Sequence, residues 1–83
     1  MVVNVGDIIS IQKLNSEDKY MSSSLIVNRP LRVKNIFRAR YGIEYIRVRF
    51  CRRQDAITYR YLASRNMCIH DSILLIMPDR FII

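Results

Sequence analysis

Two glycines in 83 residues leave no material for a phosphate-cradling loop. There is no internal repeat and no low-complexity segment, so one domain over residues 1–83 is expected. Two cysteines, Cys51 and Cys68, are too few for a disulfide framework, and a reducing cytoplasm is the expected compartment. The longest apolar run, Ile73 to Met77, is five residues, against ~20 for a bilayer-spanning helix. Met1-Val2-Val3-Asn4 lacks the basic opening of a signal peptide. No membrane partner is expected. Acids are scarce as well: seven Asp and Glu face fourteen Lys and Arg, so full internal pairing of the cations is impossible.

What is present is arginine, and it is concentrated. Residues 29–65 carry eleven Lys/Arg against Glu44 and Asp55, a net +9, while the other 46 residues carry three cations and five acids, a net −2. Eleven of the fourteen cations are Arg. A guanidinium grips phosphate with two parallel hydrogen bonds and stacks on bases, which an ammonium does not. A field so localised attracts polyanions, and a solubilising role would be met better by mixed Lys and Glu. Just over half the residues are apolar, which argues for a folded domain rather than a basic tail. At this length the core must be economical.

Strand signals recur along the chain. Val5 to Lys13 is rich in β-branched residues; Asn15 to Ser24 reads as a surface loop. Leu25-Ile26-Val27 reads as a short strand or as a buried part of that loop. Asn28-Arg29-Pro30 punctuates the chain, with Pro30 suited to a strand start or edge. From Leu31 to Tyr41 apolar and polar residues alternate, Gly42 supplies a turn, and the alternation resumes in opposite phase through Phe50. A tight turn at Tyr41-Gly42 pairs residue 40 with 43. That register puts Leu31, Val33, Phe37 and Ala39 on one face with Ile46, Val48 and Phe50. Arg32, Lys34, Arg38, Arg40, Tyr45, Arg47 and Arg49 then share the other face. Ile57 to Ala63 is aromatic and β-branched enough to read as strand, the alternative being a short helix capped by Asp55 and ending near Asn66. Ser64 to Ser72 is a connection with room for a helical turn. Ile73 to Met77 is a buried final strand stopped by Pro78-Asp79, and the apolar end Phe81-Ile82-Ile83 seals the core or joins two copies of the chain. The expected class is all-β, a small five-stranded barrel around a long basic hairpin, with one short helical turn before the last strand.

Six cations on one side of a two-stranded ribbon repel each other, which implies a compensating anion. A polyphosphate chain is the common one. Tyr45 is placed to stack on a base, and Arg29, Arg52, Arg53, Arg60 and Arg65 extend the track. RNA is favoured over duplex DNA, because no helix suits a major groove and small barrels bind single strands on an open sheet face. Neutralising about five phosphates gives a slope of log affinity on log salt of about −3.5 for single strands. The competing reading is a module that docks or inhibits an acidic protein.

Catalytic and metal signals are thin. Cys68 and His70 share a strand face if that segment is extended, but no oxyanion-hole glycine lies near. Cys51, Cys68 and His70 lack the paired spacing of zinc modules, and burial as small apolar residues accounts for both cysteines. No metal and no cofactor is expected. A metal-independent ribonuclease using Arg47, Tyr45 and Glu44 is weakened by parity, which sets Glu44 on the opposite face from Tyr45.

Two resemblances follow from short motifs. Val5-Gly6-Asp7-Ile8-Ile9, followed by a loop, a long hairpin and a short last strand, resembles SH3-like small barrels of the KOW or Tudor kind. That resemblance implies binding of nucleic acid or protein rather than catalysis. Gly6-Asp7-Ile8-Ile9 with Arg29-Pro30-Leu31-Arg32-Val33 is similar to the opening of MazF/PemK-type endoribonucleases, also SH3-like barrels. The second resemblance casts Arg29 as a residue contributing to RNA cleavage, although no Thr or Ser partner is evident downstream.

Overall fold

The computed structural model describes residues 2–15, 25–39, 41–65 and 73–83. Five strands and one helix follow in order: β1 (Ile8–Lys13), β2 (Pro30–Arg38), β3 (Glu44–Phe50), α1 (Arg53–Arg65), β4 (Ile73–Ile76) and β5 (Arg80–Ile82). All strand pairs are antiparallel, in one sheet of order β4-β3-β2-β1-β5. The first four strands form a meander, and β5 returns to the free edge of β1. The expectations for the loop at 16–24, for Arg40 and for Cys68, His70 and Asp71 fall outside the described residues.

One face of the sheet builds the core. Ile9 and Ile11 of β1, Leu31 and Val33 of β2, Ile46 and Val48 of β3, and Ile73 and Leu75 of β4 are buried, joined by Ile26 from the turn before β2. Burying each such side chain contributes about 1.5–3 kcal/mol. Leu25–Val27 is not a strand. It is a turn that drops Ile26 into the core and ends at Asn28, whose φ of 62° suits a side chain that tolerates left-handed backbone. Pro30 then opens β2, where the missing N–H costs least.

The hairpin register differs from the regular alternation. Leu31 pairs with Phe50, Arg32 with Arg49 and Val33 with Val48; past Lys34 the pairing becomes Asn35 with Arg47, Ile36 with Ile46, Phe37 with Tyr45 and Arg38 with Glu44. Lys34 is the extra residue of a β-bulge, and one extra residue inverts every side chain beyond it. Ile36 therefore packs against the core, whereas Phe37, expected inside, lies on the outer face and is exposed. Arg38, expected outside, shares the side of Ile36. The turn is also one residue longer than expected. The Ala39 N–H donates to Ile43 O at 2.8 Å and the Gly42 N–H to Ala39 O at 3.1 Å. Gly42 sits at φ 77°, the left-handed position that closes a three-residue hairpin loop.

The segment expected as a fourth strand, Ile57 to Ala63, is helical: it lies within the 13-residue α1. Its period-two appearance came from Ile57, Tyr59 and Tyr61, yet only Tyr59 is buried, while Ile57 and Tyr61 are half or more exposed. Tyr59 and Asp55, four residues apart, fall on the same helix face, and both are buried. The Tyr59 ring meets Phe50 of β3 at 5.4 Å between centroids, tilted 50°. Tertiary packing on that face overrides the strand propensity of the segment. Asp55 sits in the first turn of the helix rather than at its cap, and α1 begins two residues earlier at Arg53.

The bulge is tested by two neighbouring substitutions. Ile36→Asp is expected to lower stability by about 1–3 kcal/mol in urea unfolding and Phe37→Asp by less than about 0.5 kcal/mol. A strictly alternating strand gives the reverse order.

Candidate nucleic-acid interface

The outer face is built from three cross-strand rows. Arg49 of β3 lies opposite Arg32 of β2, which lies opposite Ile8 of β1. Leu74 of β4 lies opposite Arg47, which lies opposite Asn35. Ile76 lies opposite Tyr45, which lies opposite Phe37. Beyond these, Pro30, Ser10 and Ile82 continue the face toward β5. None of these positions is acidic.

The electrostatics of the face are unbalanced. Arg32 and Arg49 are direct partners, an arrangement in which like charges ~5 Å apart at Cβ destabilise the sheet. Arg32 donates from Nη1 to the Gly6 carbonyl at 3.3 Å. The Arg47 guanidinium carbon lies 5.2 Å from the centroid of the Phe37 ring, a cation–π contact. Among the described residues the two ion pairs are Arg29–Asp55 and Arg38–Glu44, so no described carboxylate neutralises Arg32, Arg47 or Arg49. Exposed apolar side chains, Ile8, Leu74 and Ile82, flank these arginines.

Of the cations expected on this face, the structure groups Arg32, Arg47 and Arg49 with Tyr45, and sets Lys34, exposed, at the bulge beside them. Arg52 adjoins the group: it lines a shallow depression with Ile8, Ser10, Pro30 and Ile82. The bulge removes Arg38, whose Nη2 donates to Glu44 Oε1 at 3.4 Å at the lip of an inner-side cleft that also holds Ile36, Met77 and Phe81. Ile36, which unbroken alternation would place on the outer face, goes to that side too. Arg53 and Arg60 belong to α1, which meets the sheet through Tyr59 and the inner-face ring of Phe50. Arg29 is engaged elsewhere. Its Nη1 pairs at 3.1 Å with Oδ1 of Asp55, which is 8% exposed and whose Oδ2 has no partner among the described residues. Glu44 is on the opposite side from Tyr45 and Arg47, as parity requires.

Phe37 is the member of the face that sequence alternation assigned to the core. Its signal was present: Asn35 is polar at an inward position and Ile36 apolar at an outward one, two successive violations that a single inserted residue resolves. Lys13 and Arg80 were also overlooked. They are cross-strand partners at the β1–β5 edge, after a second register shift at Gln12. Cys51 was expected to be buried and is exposed, because it follows β3 in the bend that leads into α1.

Two stability changes follow from these contacts. Arg49→Gln removes a like-charge pair and is expected to raise the urea midpoint, by about 0.2–1 kcal/mol of stability. Arg29→Ala strips a buried carboxylate of its partner and is expected to cost about 1–3 kcal/mol; an unchanged midpoint would remove Arg29 from the framework. No family model, curated protein or solved structure matches this chain.

Proposed function

We propose that the chain is a nucleic-acid-binding protein that holds RNA, in single-stranded form, on the outer face of its sheet without cutting it. The observation that carries this reading is the Arg32–Arg49 pair on a face with no acid among its described positions. Two guanidiniums set opposite each other raise the energy of the free protein, and a phosphate between them turns that repulsion into two charge-assisted contacts. Arg47, Lys34 and Arg52 lengthen the track. The same reading includes closure of the five strands into an SH3-like barrel, supported by the return of β5 to β1. Engagement of Arg29 by Asp55 supports binding rather than cleavage through that arginine.

Exposed Ile8, Leu74 and Ile82 favour a second reading, in which an acidic protein covers the same face. Fluorescence anisotropy with labelled single-stranded RNA and matched duplex DNA at two salt concentrations separates the two. Binding at micromolar concentration or tighter is expected for RNA. A slope of log affinity on log salt near −3.5 is expected if about five cations meet phosphates. The pair Arg47→Glu and Arg49→Glu is expected to abolish binding with the fold intact by circular dichroism. No binding at low salt assigns the face to an acidic protein, and shortened RNA on a gel assigns it to a nuclease.

A further inference from the structure

The outer face is not uniform along the strands. At one end stands the Arg32–Arg49 row; four residues along β3, at the other, stands the row of Phe37 and Tyr45, with Arg47 between them in sequence and its guanidinium on the Phe37 ring. At the strand rise of ~3.3 Å per residue the two rows are about 13 Å apart. A stacked single strand advancing ~3.4 Å per nucleotide covers that distance in about four nucleotides.

Phe37 is a large apolar side chain that lies outside the core cluster. It is 39% exposed on the face that carries Arg32, Arg47 and Arg49, and the bulge at Lys34 is what puts it there. An exposed phenyl ring costs solvation, while a ring beside a guanidinium offers a nucleobase a π surface and a cation together. Tyr45, half-buried across the strand from it, widens the platform. Stacking of this kind needs a base whose face is free, which a duplex conceals.

Building on the RNA-binding reading, we infer that the face divides its labour: Phe37 and Tyr45, with Arg47, form a base-stacking platform, and Arg32 with Arg49 forms a phosphate clamp about four nucleotides away. The ligand is therefore an unpaired strand recognised by bases at one end and by backbone at the other. Recognition by the platform is tolerant of sequence, since every base has a π face.

The experiment compares an eight-nucleotide RNA with an abasic ribose-phosphate chain of equal length, each titrated against the wild type, Phe37→Leu and Arg49→Gln. The wild type is expected to bind RNA ~tenfold or more tightly than the abasic chain, the range set by one stacked base. Phe37→Leu is expected to erase that preference and leave the salt slope unchanged. Arg49→Gln is expected to keep the preference and reduce the slope by about 0.7 for both ligands. Quenching of 2-aminopurine at the stacked position in wild type, lost in Phe37→Leu, completes the expected pattern. Equal wild-type affinity for the two chains overturns the platform and leaves nucleic-acid binding standing. Equal losses for both ligands in Phe37→Leu also overturn it. Binding of neither ligand by the wild type overturns the platform together with the reading on which it rests.

Discussion

The single inserted residue at Lys34 decides what this molecule presents to its surroundings. A strand whose alternation is unbroken from Leu31 to Tyr41 would bury Phe37 and expose Ile36 and Arg38, leaving Tyr45 without an aromatic partner among the cations. With the bulge, Ile36 joins the core, Arg38 turns to the inner side beside Glu44, and Phe37 comes out next to Arg47. One backbone irregularity thus adds a second aromatic ring to the cationic face and takes one cation from it. Bulges also bend and twist the strand that carries them, and β2 is the central strand, paired on both sides.

The charges of the molecule are sorted by that geometry. Arg29 and Arg38 are committed to carboxylates, one in a half-buried contact with Asp55 and one at an exposed hairpin end. These pairs tie segments together: Arg29–Asp55 links the entry of β2 to the first turn of α1. The outer-face arginines are paired with no described carboxylate. Arg32 and Arg49 face each other at a cost to the sheet, and natural sheets place opposite charges at such positions when stability alone is at stake.

Much of this was readable from residue order. The inward set Leu31, Val33, Ile46 and Val48 is buried as the alternation requires, and Pro30 begins a strand. The outward set Arg32, Tyr45, Arg47 and Arg49 follows from the same periodicity. What was not readable has physical reasons. A bulge shows only as two misplaced residues, Asn35 and Ile36, which look like ordinary exceptions until a partner strand fixes the register. The helix was concealed because Ile57, Tyr59 and Tyr61 alternate like a strand, and only contact between Tyr59 and Phe50 shows which of them is buried. The capture of Arg29 by Asp55 joins residues 26 positions apart, beyond any local pattern.

The return of β5 to β1 has a kinetic meaning. Within the meander only β2 and β3 are close in sequence, joined by a tight hairpin turn. β1 and β5 are separated by nearly the whole chain, pairing Ser10 with Ile82 and Ile11 with Phe81. Loop-closure entropy grows with the length enclosed, so the central hairpin assembles early and the outermost pairing late. A three-residue strand held by the longest loop is also the first to detach when the native protein breathes. Until β5 arrives, the backbone of β1 is an open template beside the exposed Ile8, and the nascent chain is most vulnerable to self-association at that stage.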